Sequence, residues 1–292
     1  MIQYKYRFTI WTAAYNAEKT IERCFNSVKA QNRNDFEWIV VNDGSSDRTK
    51  ELIHNFKNST NIPIKIIDKF NGGKHTALKA AADIAEGRYV IIIDADDELV
   101  PKALDIFDKH WKDLEKSDDY DSFWQVKGRC ADKGMRIYGR PLPAPVYDSD
   151  YNTMHFIVKN TAEMECCSKI EVMKGEAAVP DNFIFQDKCN NFGEGIRWSR
   201  AARKYKTRFI DEIVRIYNFG TEGSLTQSNK KRRNIRHTYN LLVYEIYSLK
   251  ERRDLIWKND KRTYMRTMAA LIYHCNVLNE SVLNLYKGGV FE

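Results

Sequence analysis

No stretch of this sequence is both long and apolar. The longest apolar runs, such as Tyr89 to Ile93, are strand-sized, far short of the roughly 20 residues that cross a bilayer as a helix. The N-terminal MIQYKYRFTIWTAAYN lacks the apolar core and small-residue cleavage site of a secretory leader, so the expected compartment is the cytoplasm. With 14 glycines and 6 prolines in 292 residues, and 43% hydrophobic content, there is no room for a long disordered or low-complexity tract. Cys24, Cys130, Cys166, Cys167, Cys189 and Cys275 form no C-x-x-C pair and no H-x-x-x-H accompanies them. That disfavours a zinc site and predicts reduced thiols in a cytosolic interior. No G-x-G-x-x-G follows the first apolar run and no G-x-x-x-x-G-K occurs, which disfavours a nicotinamide-dependent dehydrogenase and a P-loop NTPase. The first 228 residues have no surplus charge of either sign. The whole formal charge of +7 sits from Asn229 onward, where 13 Lys or Arg face 6 Asp or Glu.

What is present alternates. Phe8 to Trp11, Phe36 to Val41, Ile62 to Ile67 and Arg88 to Asp94 read as strands. Between them lie a helix carrying Ile21, Cys24, Phe25 and Val28, a helix carrying Leu52, Ile53 and Phe56 with Ser45 or Ser46 as its cap, and an alanine-rich helix over Thr76 to Ala85. Strands and helices alternating at this spacing predict an α/β fold with a mostly parallel central sheet and helices on both faces. The last strand is nearly continuous in apolar residues, as strands buried on both faces are. A helix from Pro101 to Glu115 follows, then β-rich stretches near Phe123 to Lys127 and Arg208 to Tyr217. Beyond Ser228 two helical stripes appear, Tyr239, Leu242, Val243, Ile246 and Leu249, and Met265, Met268, Ala269, Ile272 and Cys275. They predict a C-terminal helical appendage.

In such sheets ligands bind beyond the carboxyl ends of the strands. Here three strand ends run into Thr12 to Asn16, Asn42 to Asp47 and Asp94 to Asp97. Asp94 and Asp96, one residue apart on a turn, suit Mg²⁺ or Mn²⁺, which uses one or two carboxylates while phosphates and water complete its shell. An EF-hand loop is a poor alternative because Leu99 stands where that loop needs glycine. The plainer reading, acidic caps for the helix near Pro101, applies to Asp97 and Glu98. Asp43 alone is an ordinary turn residue, and beside the acidic cluster it becomes a candidate acceptor for a base N–H. Asn71-Gly72-Gly73-Lys74-His75, with a helix after it, is a candidate phosphate cradle.

The ordered combination of Ala14-Tyr15-Asn16-x-Glu18, Phe36 to Asp47, Asn71 to His75, Ala85-Glu86-Gly87 and Asp94-Ala95-Asp96-Asp97 resembles the family 2 glycosyltransferases of the Rossmann-like GT-A fold, over roughly residues 7 to 105. The resemblance implies a nucleotide-diphosphate sugar, a UDP-sugar first among them, bound by Thr12, Ala13, Tyr15, Glu18, Asp43, Lys74, His75, Asp94 and Ala95. It implies Asp43 on the base, Asp94 and Asp96 on the ribose and the metal-diphosphate, and Mn²⁺ or Mg²⁺ held by Asp96 with help from Asp94. One departure is Ala13, where the family commonly has proline or threonine. Gly193 to Ala202 resembles the family's acidic motif, in which a carboxylate precedes a Trp-x-Arg helix. Aligned on Trp198 and Arg200, Glu194 takes the place of the general base, and Asp187 in Phe185-Gln186-Asp187-Lys188 is the competing candidate.

The expected activity is inverting transfer of a sugar to a glycan or lipid-linked acceptor in cell-surface polysaccharide synthesis. Residues 1–228 would form the GT-A domain, with 1–105 for the nucleotide sugar and 106–228 for the acceptor, and 229–292 a basic helical segment. Lys230 to Arg233 with Arg236 suit anionic lipid headgroups on the inner face of the plasma membrane. No nucleic-acid recognition motif accompanies them. A sugar-phosphate nucleotidyltransferase and a non-catalytic nucleotide-sugar-binding module are the alternative readings.

Overall fold

The computed structural model describes residues 3–160, 162–189, 191–218 and 235–287. The alternating half of the chain builds β1 (Tyr6–Ala14), α1 (Ile21–Lys29), β2 (Phe36–Asp43), α2 (Thr49–Asn58), β3 (Ile64–Lys69), α3 (Lys74–Ile84) and β4 (Gly87–Ile92). The short β5 (Glu98–Leu99) and α4 (Ala103–Leu114) follow. The second half contains β6 (Phe123–Ala131), β7 (Val146–Ser149), β8 (Met164–Lys169), α5 (Ile170–Lys174), α6 (Glu194–Ala201) and β9 (Lys206–Ile216). Three helices close the described chain, α7 (Ile235–Asn259), α8 (Lys261–Leu278) and α9 (Val282–Lys287). Among the described residues the strands form one sheet in the order β3-β2-β1-β4-β8-β6-β9-β5, with β7 beside β9. The first four strands are parallel, and antiparallel β8 joins them to β6, which runs parallel to β9.

Both sheet faces are apolar because the strand period of two is used twice. Phe8, Ile10, Trp38, Val40, Tyr89 and Ile91 face α1, α2 and α4. Trp11, Ile39, Val41 and Val90 face α3 and α5. Helices therefore cover both faces, as the alternation predicts. All six cysteines are free thiols. No helix among the described residues is long and apolar enough to cross a membrane.

Several boundaries depart from the sequence expectations for local reasons. The cap of α2 is Asp47, which accepts from the Thr49 N–H at 3.0 Å and from its hydroxyl. Ser45 and Ser46 instead bond to Asn16 across the neighbouring loop. Pro63 has no N–H to give, so β3 starts at Ile64. Asp97 and Glu98 do not cap α4: Asp97 pairs with Arg215 and Glu98 with Arg23 at 3.0 Å. In α8 the inward row is Tyr264, Met268, Leu271, Cys275 and Leu278. Of the expected stripe, Met268 and Cys275 face inward, whereas Met265, Ala269 and Ile272 are exposed.

The C-terminal helices are anchored beside the site. Tyr239, Leu242, Val243, Ile246 and Leu249 of α7 share a hydrophobic cluster with Phe183, Phe192 and Ile196, and Arg200 of α6 forms a bidentate pair with Glu251 at 2.6 Å. The domain boundary expected at 228/229 and the basic run Lys230 to Arg233 lie outside the described residues.

Strands β1 and β4 meet tightly at Gly87, where an added Cβ would lie 2.4 Å from Thr9 Oγ1 and 2.6 Å from the Phe8 carbonyl carbon. Gly87→Ala should therefore cost about 1–3 kcal/mol, read as a lower urea midpoint with an unchanged slope. An unchanged midpoint would contradict this packing.

Candidate active site

Because β2, β1 and β4 are neighbours, their carboxyl ends share one rim. The loops after β1 and β2 are stitched together there. The Asn16 side-chain carbonyl accepts from the Ser46 N–H at 2.9 Å, the Glu18 N–H donates to Asp47 at 3.1 Å, and the Glu18 carboxylate accepts from the Arg48 N–H at 3.1 Å. Asn16 adopts φ 48°, a left-handed geometry that asparagine tolerates. Thr12 is buried, with its hydroxyl accepting from Trp38 Nε1 at 2.9 Å. Ala13 packs toward the α3 face. Tyr15 is 55% exposed on the rim.

Asp43 closes β2 and organises the next loop. Its carboxylate accepts from the N–H of Gly72 at 3.0 Å, the N–H of Gly73 at 2.7 Å and Lys69 Nζ at 2.5 Å. The anion held by the glycine loop is thus the protein's own carboxylate, which corrects the expectation of a phosphate cradle at these two N–H groups. Gly73 sits at φ 88°, a value open to glycine at little steric cost, and it turns the chain so that α3 starts at Lys74. A carboxylate has about four acceptor positions, so Asp43 retains one beyond these three donors. His75 is buried, its ring edge-on to Phe183 at 5.6 Å, and it does not line the cavity described next.

Lys74 begins α3, where a positive charge opposes the helix dipole. Two carboxylates offset that. Its Nζ lies 2.7 Å from Asp94 Oδ1 and 3.2 Å from Glu194 Oε1. All three line a cavity of about 310 Å³ together with Glu163, Glu165, Cys166, Arg197, Trp198 and Arg215, among others. Burial opposes the charge on Lys74, yet Asp94 and Glu194 outweigh it and hold the ammonium protonated. Burial would likewise raise Asp94, but Lys74 and Arg215 bring its carboxyl down to about 2. Attraction to Lys74 keeps Glu194 below the ordinary carboxylate range in spite of its burial. Asp94 and Glu194 are therefore both ionised at neutral pH.

Arg215 of β9 supports the other side of Asp94. It reaches Asp94 Oδ2 at 3.3 Å, Asp97 Oδ2 at 2.9 Å from Nε, and Glu165 Oε2 at 3.0 Å. With Glu163 at 3.7 Å, four carboxylates share this guanidinium. Burial holds Asp97 up at about 6 and Glu165 up at about 7, whereas Asp94 has Lys74 as well and stays low. Sequence reasoning missed Arg215, although an arginine within the apolar run Ile213-Val214-Arg215-Ile216 marks a charge that must be paired inside.

Asp94 and Glu194, from opposite halves of the chain, are brought together; Asp187 is not. It is exposed in the turn before α6 and does not line the cavity. Asp96 follows Asp94 on the same turn, and its carbonyl accepts from Arg23 at 2.6 Å and Asn218 at 3.1 Å. The Ala95 side chain is buried in the core, leaving its backbone for contacts at the rim. Asp43 and Asp96 are not in the cavity wall. Among the described residues no three His, Cys, Asp or Glu side chains form a complete metal cage. Mg²⁺ or Mn²⁺ needs no such cage when phosphates supply ligands, and the oxygen-only donors Asp94 and Asp96 fit it.

Residues 9–165 match the profile of glycosyl transferase family 2. A teichoic acid poly(glycerol phosphate) polymerase of Staphylococcus epidermidis is 36% identical over 216 residues, 73% of this chain and 28% of its own length. The poly(ribitol-phosphate) β-N-acetylglucosaminyltransferase TarS of Staphylococcus aureus is 30% identical over 114 residues, 37% of this chain and 20% of TarS. The chain thus spans less than a third of the length of these relatives. The structure of TarS 1–349 with UDP-GlcNAc superposes with a TM-score of 0.62 at 17% identity, over 92% of this chain and 72% of that one. A mannosyltransferase of Pyrobaculum calidifontis in complex with GDP-Man and Mn²⁺ gives 0.59 at 15% identity, over 98% and 80%. At such identities the structural likeness speaks for the fold alone. With more than half of its residues inside the matching profile and this strand-end geometry, the chain belongs to glycosyl transferase family 2.

Proposed function

We propose that the chain is an inverting glycosyltransferase that moves a sugar from a nucleotide-diphosphate sugar to the hydroxyl of a glycan or lipid-linked acceptor, in cell-surface polysaccharide synthesis. One observation carries this reading: Asp94, Lys74 and Glu194 line a single cavity at the carboxyl edge of the sheet. UDP-GlcNAc bound to TarS supports a UDP-sugar as the donor, and the Mn²⁺ in the mannosyltransferase supports a divalent ion. The names of the teichoic-acid and poly(ribitol-phosphate) enzymes support a cell-wall type of polymer.

In this reading residues 1–105 hold the donor. Asp43 accepts a base N–H at its remaining acceptor position, and the rim from Thr12 to Glu18 carries the nucleoside, with Tyr15 exposed to meet it. Asp96 and Asp94 are the residues that would hold Mn²⁺ or Mg²⁺. When bound, the ion supplies Lewis-acid neutralisation of charge on the diphosphate. Lys74 adds its own positive charge beside Asp94. Residues 106–228 face the acceptor, and Glu194 is the base. Its carboxylate is ionised, so it takes the proton of the acceptor hydroxyl as that oxygen attacks the anomeric carbon. The bond from that carbon to the diphosphate oxygen breaks, and the electron pair leaves with the diphosphate. A single displacement of this kind inverts the anomeric centre and requires no second carboxylate. The basic segment 229–292 would keep the enzyme near anionic headgroups on the inner membrane face.

Two variants test the assignment. Asp96→Ala should remove the Mn²⁺-dependent part of nucleoside-diphosphate binding, lowering affinity at least about tenfold in calorimetry; equal affinity with and without Mn²⁺ would end the metal role of Asp96. Glu194→Gln should preserve nucleotide binding and lower kcat by about 10²- to 10⁴-fold, the usual contribution of a general base. If that variant turns over normally while Asp187→Asn does not, the base is Asp187.

A further inference from the structure

Many partly or fully buried cations among the described residues are matched by carboxylates. Arg7 pairs with Asp108 at 2.8 Å and Glu115 at 2.7 Å, Arg200 with Glu251, Lys74 with Asp94 and Glu194, and Arg215 with Asp97 and Glu165. Lys127 and Arg252, beside α6, are not so matched, and neither is Arg197 of α6, whose Nε donates to the Ala177 carbonyl at 2.6 Å. Lys127 is 5% exposed and Arg252 3%, and neither has an acidic partner among the described residues. The Lys127 ammonium lies over aromatic faces, 3.7 Å from the Trp198 ring centroid and 5.4 Å from that of Tyr151. Arg252 donates to the Ser248 hydroxyl and, at 3.4 Å, to the Gly195 carbonyl, and its Nε has no partner. Its guanidinium otherwise meets the rings of Tyr244 at 5.1 Å and Phe156 at 5.6 Å.

Their position ties these cations to the transfer site. Lys127 pairs in register with Cys166, and both Cys166 and Trp198 line the cavity that holds Glu194. Arg252 touches Gly195, the residue after Glu194. His155 stacks on Tyr151 at 5.3 Å, within the electrostatic reach of both cations. Burial together with Arg252 and Lys127 pushes its imidazole down to about 4, so it stays neutral and adds no counter-charge. A buried charge is costly unless something of opposite sign meets it. Here the surrounding chain supplies aromatic rings and neutral oxygens, and the unmet charge adjoins the base.

We propose that the acceptor carries a phosphate ester, and that Lys127 and Arg252 recognise this phosphate beside the first turn of α6. This rests on the glycosyl-transfer reading and adds the chemical class of the acceptor. A phosphate offers several acceptor oxygens to an ammonium and a guanidinium at once, and the rings of Trp198 and Tyr151 exclude the water that would weaken the contact. Cations without a carboxylate partner among the described residues also predict a stability cost maintained for binding.

The test uses the full chain saturated with UDP and Mn²⁺, so that the donor phosphate site is already filled. Glycerol 3-phosphate, a glycerol phosphodiester dimer, glucuronate and glycerol are then titrated by calorimetry. The expected result is binding of the phosphate esters, with glycerol and glucuronate at least about tenfold weaker. Preference for the diester over the monoester points to a polymer backbone as the source, and the reverse to a lipid-linked phosphate. Lys127→Met should weaken phosphate-ester binding at least tenfold and raise the ligand-free Tm by about 2 to 4 °C, whereas Lys127→Arg should retain binding. Equal binding of all four compounds overturns the proposal. So does a Lys127→Met protein that loses stability while binding the esters as the wild type does. Should Lys127→Met fail to fold, the wild-type selectivity decides alone. Failure of UDP to bind with Mn²⁺ counts against the donor reading instead, and the phosphate series is then read without nucleotide.

Discussion

One ammonium group joins the two halves of the site. Lys74 Nζ lies between Asp94, at the end of the parallel half of the sheet, and Glu194, at the start of a helix a hundred residues later. Two carboxylates brought into a common cavity would repel each other and protonate. The lysine lets both stay ionised, and their charge in turn permits a lysine at a helix N-terminus. In the proposed reading, the carboxylate assigned to the metal and the one assigned to the proton thus share one cavity in ionised form.

That pair is supported by a second tier of buried electrostatics. Arg215 ties β9 to Asp94, Asp97 and Glu165, fixing the acidic turn from behind. On the other side of β1, Asp43 holds the backbone N–H groups of Gly72 and Gly73 and so sets where α3 begins and where Lys74 points. The glycine loop acts on the site through this register, with an internal carboxylate in the place of an external anion. The C-terminal helices contribute from outside, since Arg200–Glu251 and the Phe192 cluster clamp α6 and with it Glu194.

The parallel half was legible in the sequence because its signals are local. Phe36 to Val41, Glu37 apart, and Tyr89 to Ile93 are apolar throughout, as strands covered on both faces are, and the turns between them carry the polar residues that strand ends collect. Asp94 was singled out by its place after a buried strand, and Glu194 by the family resemblance aligned on Trp198 and Arg200; the structure puts both on one cavity wall. The errors share a physical cause. Ser45 and Ser46 have the chemistry of caps, but a neighbouring loop outcompeted the helix for them. Asp97 and Glu98 have the composition of a helix start, but Arg215 and Arg23 lie closer. Asn71 to Gly73 has the shape of an anion cradle, and only tertiary structure reveals that Asp43 fills it. In α8 the exposed Met265 and Ile272 flank the buried row, so periodicity alone could not choose the inward face. Met164 to Lys169 carries Glu165, Ser168 and Lys169 into the sheet, and polar residues of that kind hide a strand from any reading based on hydrophobicity.

The central claim is that Asp94 and Asp96 hold an ion against a diphosphate, with Lys74 beside it and Glu194 across the cavity. Crystals grown with a nucleoside diphosphate and Mn²⁺ test it most directly through the anomalous signal of manganese. The account predicts a single strong peak in contact with the diphosphate and with the carboxylate of Asp96, Asp94 or both, within reach of the cavity wall that bears Glu194. A nucleotide bound without manganese, or manganese bound away from that turn, would contradict it.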